Sequence, residues 1–245
     1  MLLTKENLGQ NWGCQIMGAA IARHVITVLT ASSLFVAQPT SAIPASEYRA
    51  LGLSYRAAAK YPEAIAALQK SVELEPQNLS GRVLLGWTQH LAGQKEAAAE
   101  SLIQVLYRDP ISIPALNALG IVYLVSGKLN AAVFVHAWAA ILQPKNEIAY
   151  YNLSLAFERL QSYEPAISAA KRAAQLEPTN PHPLVALSLA HWQKGERAAA
   201  EAAYRQAYNL DARYGDRIFL NHLLQAGFSQ SQIEMTKHIL AATFP

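Results

Sequence analysis

Residues 72–78, Val-Glu-Leu-Glu-Pro-Gln-Asn, return as Ala-Gln-Leu-Glu-Pro-Thr-Asn at residues 174–180, three steps of 34 residues later. Pro110 and Pro144 mark the two steps between. Gly93, Gly127 and Gly195 keep the same period with one step skipped, and Asn78, Ser112, Asn146 and Asn180 keep it throughout. A fixed period of this length is read before anything else, because it dictates architecture. Each residue class has a physical task. Proline lacks an N–H and clashes with the preceding turn, so each one ends a helix. Asn or Ser two residues later caps the next helix by accepting from its free N–H groups, and Asn180-Pro181 adds a proline at the first helical position. The glycines fall where a chain leaving a helix turns left-handed. The first and fourth units lack that glycine and carry Lys60-Tyr61-Pro62 and Ser162-Tyr163-Glu164-Pro165 instead. Helical stretches of about 12 to 14 residues fill the intervals, so each unit is two antiparallel helices and a turn.

The pattern within the units is similar to the tetratricopeptide repeat (TPR) family. It runs Tyr48, Leu51, Gly52, Tyr55, Ala64, Leu68, Pro76 in the first unit and Leu85, Gly86, Ala98, Leu102, Pro110 in the second. The third has Leu116, Leu119, Gly120, Tyr123, Ala132, Pro144; the fourth has Tyr150, Leu153, Phe157, Ala166, Ala173, Pro178. The fifth, with Leu184, Leu187, Ala200, Tyr204 and Ala207, departs by having Ala212 in the proline place, and Ser154 and Ser188 replace the small glycine. The resemblance covers residues 45–212. It implies an all-α, right-handed solenoid of five helix pairs: 45–78, 79–112, 113–146, 147–180 and 181–212. Residues 213–245 lack the signature and read as a C-terminal capping helix pair, Gly215–Ala226 and Ser229–Ala242. Ser229 with Gln232, or Ser231 with Glu234, offers the second of these a capping box.

Composition agrees. The 245 residues are 52% hydrophobic and 15% charged, with a net charge of +3 and 44 alanines. Such a chain buries enough apolar surface to fold, which excludes disorder, and its charge is too small for a nucleic-acid binder working by bulk attraction. The lone Cys14 excludes a disulfide framework. Val25–Ala37 is an uncharged run after Arg23 and His24, too short to cross a bilayer, and it leads to a small-residue Thr40-Ser41-Ala42 end. Residues 1–42 therefore read as a signal peptide cleaved after Ala42, with Met17 as a candidate true start. The alternative is an uncleaved N-terminal anchor. Export to a periplasm, a thylakoid lumen or the cell envelope follows as the expectation.

No phosphate loop, nucleophile elbow or His-Glu-x-x-His pair occurs. The histidines are scattered, so no enzyme, cofactor, metal or small-molecule substrate is expected. The resemblance instead implies a protein or peptide partner held where first helices line a concave groove. An i, i+4, i+7 stripe on each first helix carries it. It runs Arg49, Leu53, Arg56; Val83, Trp87, His90; Asn117, Ile121, Leu124; Tyr151, Leu155, Glu158; and Val185, Leu189, Trp192, with Asn117 and Asn152 placed to bond a peptide backbone. An apolar or amphipathic segment with an acidic end suits this stripe. Superhelical curvature, the terminal cap or residues 43–46 would cover it in the competing reading. A second candidate lies on the convex side, where Phe134 and Trp138 stand four residues apart. They form either an exposed patch that docks the chain permanently into a larger complex, or part of the inter-repeat core. The expected function is a non-enzymatic, exported scaffold that assists assembly or maintenance of a membrane or envelope complex. Membrane association would be indirect or through the leader.

Overall fold

The structure, a computed structural model, describes residues 43–244. The expected signal peptide with its Met17 start, the anchor alternative and Cys14 lie outside the described residues. Within them the chain is all-helical. Five antiparallel pairs follow one another: α1 (Ala45–Ala57) with α2 (Tyr61–Leu74), α3 (Leu79–Leu91) with α4 (Lys95–Arg108), and α5 (Ile113–Val125) with α6 (Leu129–Leu142). Then come α7 (Glu147–Arg159) with α8 (Tyr163–Leu176), and α9 (His182–Lys194) with α10 (Arg197–Leu210). Helix α11 (Gln230–Thr243) closes the chain. No described helix is long and apolar enough to cross a membrane.

The punctuation works largely as its chemistry requires. Helices α2, α4, α6 and α8 each stop two residues before Pro76, Pro110, Pro144 or Pro178, the residue before a proline being pushed out of the helical region. Asn78 and Asn146 accept from Gly81 N at 3.0 Å and Ala149 N at 3.3 Å. Ser112 makes no side-chain cap. Asn180 bonds His182 N at 3.0 Å, so α9 opens at His182 and Pro181 sits just outside it. Gly93, Gly127 and Gly195 are left-handed, and the same station in the first and fourth pairs is held by Ala59 (φ 56°) and Gln161 (φ 58°). The 34-residue step thus runs unbroken through 59, 93, 127, 161 and 195.

Within a pair, small residues let helices cross closely. Gly52 faces Leu68 and Gly86 faces Leu102, whereas Gly120 faces the ring of His136. From α3 onward the first helices also pack on one another, α3 on α5, α5 on α7 and α7 on α9. One continuous core runs from Val83 to Leu240, each large apolar side chain fully buried there contributing roughly 1.5–3 kcal/mol.

The C-terminal segment corrects one expectation. The helix foreseen over Gly215–Ala226 is instead two short 3-10 turns, Ala212–Gly215 and Phe219–Leu224. Tight bonds close the second, with Asn221 N donating to Ile218 O and Ala226 N to Leu223 O. The expected Ser229–Gln232 capping box is present at the start of α11.

Candidate functional site

The concave stripe is occupied by the chain itself. Tyr151 and Leu155 are fully buried on α7, as are Val185 and Leu189 on α9. Tyr151 Oη donates to Ala226 O at 2.6 Å, and its ring meets Phe228 at 6.3 Å between centroids. Gln232 Nε2 donates to Glu158 Oε2 at 2.5 Å and to Leu155 O at 3.4 Å. Burial raises the Glu158 carboxyl above its ordinary pKa, with the bond from Gln232 opposing. Helix α11 packs on α9 and α10. The C-terminal segment therefore seals this end of the groove.

The remaining stripe residues are mostly internal too. Val83, Trp87, Asn117, Ile121 and Leu124 are buried. Asn117 is spent on Asn146, the two amides exchanging bonds of 3.3 and 2.9 Å, and Asn152 donates to Ile148 O at 2.8 Å. These side chains are corrected from partner contacts to packing. His90 tilts against Trp87 with centroids 4.8 Å apart, and burial lowers its pKa to about 4. Arg197 stacks 3.5 Å over the Trp192 ring. Arg49 is half-buried and bonds Glu75 at 3.1 Å, Leu53 is half-buried, and Arg56 is buried with Nη1 unpartnered. The sequence reading missed Ala226, Phe228 and Gln232, which lie outside the repeat register and 74 to 77 residues from the α7 groups they bond.

The convex surface answers differently. Phe134 is 74% exposed and Trp138 40% exposed, so the pair is surface and not inter-repeat core. Three further apolar side chains join it: Tyr107 at 84%, Ile111 at 62% and Ile141 at 68%. Tyr107, Phe134 and Trp138 line a cleft of about 500 Å³ together with Ile103, Leu106, Leu116, Leu119 and Val135, between α4, α5 and α6. Trp138 Nε1 donates to Pro110 O at 3.3 Å, which fixes its ring at the rim. The signal was present in the register. Glu73, Gln175 and Asn209 occupy in other pairs the place that Tyr107 and Ile141 hold in the second and third. An exposed aromatic cluster around a preformed cleft has the makings of a protein-docking site.

Comparison with known proteins places the chain. It is 27% identical to the BBSome complex member BBS4 of Bos taurus over 173 residues, which is 71% of this chain and 33% of that protein. It is 25% identical to the anaphase-promoting complex subunit cut9 of Schizosaccharomyces pombe over 175 residues, 71% of this chain and 26% of that one. The chain thus spans about a third or less of these curated relatives. Among solved structures, a crystal structure of MamA protein superposes with a TM-score of 0.61 at 25% identity, covering 69% of this chain and 92% of that chain. The structure of residues 41-end of MamA from Desulfovibrio magneticus RS-1 does so at 0.64 and 21% identity, covering 69% and 95%, and supports the fold alone. Tetratricopeptide repeat patterns match residues 49–112, 117–181 and 182–214, more than half of the sequence, and the chain belongs to the tetratricopeptide repeat family.

Proposed function

We propose that the chain is a non-catalytic scaffold that holds a protein partner in a larger assembly through the convex cleft of its second and third helix pairs. The observation carrying this is the exposed set Tyr107, Phe134 and Trp138 lining an apolar cleft. A partner side chain entering it removes apolar area from water on both sides, each large one worth roughly 1.5–3 kcal/mol before association costs. Curated relatives named as members of multi-protein complexes support the scaffold reading. The Arg23–Ala42 pattern supports export, and with it a role in assembling or maintaining an envelope or membrane complex; mass spectrometry of the chain from its host tests cleavage after Ala42. The concave groove enters as a seat whose C-terminal half already holds an amphipathic helix of this chain.

The test compares Phe134→Glu with Trp138→Glu against Ala202→Glu with Gln206→Glu, exposed control positions on α10. Both tagged chains should keep the helical circular dichroism of the parent. Crosslinked partners should be lost only from the first. Equal recovery from both would refute the cleft as the docking site.

A further inference from the structure

The apolar surface of the second and third helix pairs differs from the rest of the convex side in charge as well as in shape. Between Pro110 and Pro144 the only charged side chain is Lys128, whose Nζ lies 5.8 Å over the Tyr123 ring. Helix α6 holds no Asp, Glu, Lys or Arg, whereas α2, α4, α8 and α10 each hold three or more. The charges nearest the aromatic side chains are spent within the chain. Arg108 Nη1 donates to Pro76 O at 2.8 Å and to Gln77 at 3.1 Å, and Asp109 accepts from Ile111 N at 3.3 Å. Trp138 has its one donor on Pro110 O, so apolar atoms can cover the ring without leaving an N–H unpaired. Ile111 follows that proline, and Ile141 lies three residues beyond Trp138 on the same face of α6. The apolar surface is continuous.

We infer that the partner seated here is a second copy of this chain, docked about a two-fold axis through the same surface; this rests on reading the cleft as a protein-docking site. Shape, charge and area select that occupant. The surface holds both halves of a joint, since Phe134 projects from α6 beside an open apolar cleft of about 500 Å³. A two-fold contact demands such self-complementarity, each copy offering the knob and the hole. Charge points the same way. Two copies of a charged surface repel, because the axis brings like groups together, and like-charge juxtaposition is costly. An uncharged face escapes that penalty, and it offers a charged partner nothing to pair with. The area is sufficient. Taking about 150–250 Å² for a whole aromatic side chain, the exposed parts of Tyr107, Ile111, Phe134, Trp138 and Ile141 amount to roughly 600 Å² per copy. Two copies together bury about 1,200 Å², the lower edge of specific, stable interfaces.

The test is sedimentation equilibrium of the purified full chain across a range of concentrations. The parent should pass from monomer to dimer at about micromolar concentration, the weak end for contacts of this size. High salt should leave the dimer intact, since no ion pair holds it; dissociation by salt would count against the inference. Phe134→Glu with Trp138→Glu should weaken dimerisation about a hundredfold or more and keep the parental circular dichroism, while Ala202→Glu with Gln206→Glu changes neither. Should the first variant unfold, Tyr107→Lys at a fully surface-placed side chain carries the same expectation. Tagged parent should retain untagged parent but not the untagged Phe134 and Trp138 variant. Retention of that variant would mean a head-to-tail contact through another surface and would overturn the two-fold. A parent that stays monomeric, or a variant that still dimerises, would overturn the second copy as occupant. If the parent is monomeric and crosslinked host proteins are lost with the Phe134 and Trp138 changes, this inference falls and the docking reading stands. If it is monomeric and instead floats with phosphatidylglycerol vesicles through those residues, both fall.

Discussion

Replacing His136 by leucine should remove one of the buried-histidine contributions to this protein's sensitivity to acid. The ring is fully buried and neither nitrogen has a hydrogen-bond partner. Its environment is tight, since a Cβ on Gly120 would stand 2.4 Å from Nε2. Burial lowers the pKa from 6.5 to about 3, with the Gly120 backbone opposing. With the folded value below the unfolded one, the unfolded chain binds the extra proton between these limits. Stability contributed by the neutral ring is therefore complete above pH 6.5 and drains away as pH falls toward 3. At 1.36 kcal/mol per unit, the loss is about 2 kcal/mol at pH 5 and about 3 kcal/mol at pH 4. Leucine, the residue that fills this place as Leu68 and Leu102, has nothing to titrate. His136→Leu should also gain about 1–3 kcal/mol at pH 7 by removing unsatisfied polar atoms. The assay is urea unfolding of parent and variant at pH 7, 5 and 4. The difference between them should widen by about 2 kcal/mol from pH 7 to pH 5. A gap that stays constant with pH would refute the reasoning, because packing alone cannot depend on protons.

Ala59→Gly and Gln161→Gly should each stabilise the protein by about 0.5–1 kcal/mol, since a left-handed L-residue costs about 1–2 kcal/mol and the freer unfolded chain returns part of the gain; an unchanged or lower urea midpoint for both would count against strain at these turns. Tyr151→Phe removes the donor to Ala226 O and should cost about 1–3 kcal/mol, with hydrogen exchange of α11 amides accelerating more than that of α2; uniform acceleration would show that the bond does not anchor the segment. Glu158 has a raised folded pKa, so its burial weakens the protein as pH climbs above the ordinary carboxylate range. Glu158→Gln should be more stabilising at pH 7 than at pH 4, and the reverse order in melting temperature would refute that sign.

Architecture was legible because proline and glycine announce themselves by chemistry and recur at a fixed step. What the sequence hid was of two kinds. Ala59 and Gln161 adopt the glycine conformation with no residue signal, only their place in the register. The contents of the groove were hidden by distance: the stripe from Arg49 to Trp192 can be written from helical spacing, but Ala226, Phe228 and Gln232 belong to no repeat. The C-terminal run Phe219-Leu220-Asn221-His222-Leu223-Leu224 looks helical by its apolar spacing. It tightens into 3-10 turns as Tyr214, His222 and Ala226 are all drawn toward α7 and α9, an arrangement a straight helix cannot offer. The apolar convex surface was half legible. Phe134 and Trp138 show in their four-residue spacing, whereas Tyr107 and Ile141 emerge only when the pairs are aligned against one another.

The bonds from Ala226 and Gln232 back to α7 bear on how the molecule comes apart. A solenoid whose repeats touch only their neighbours behaves as a one-dimensional chain, fraying from either end. Here a segment about 75 residues downstream ties α7, α9 and α10 into a closed loop, so the C-terminal half must melt as one cooperative block. Among the described residues the first pair has no such tie, and Ile65, Leu68, Val72 and Leu85 form a small cluster of their own. Unfolding should therefore be polarised: α1 and α2 open at low free energy while the rest holds. Closing the long loop before its contacts can form should also make folding slower than a purely local repeat array would be.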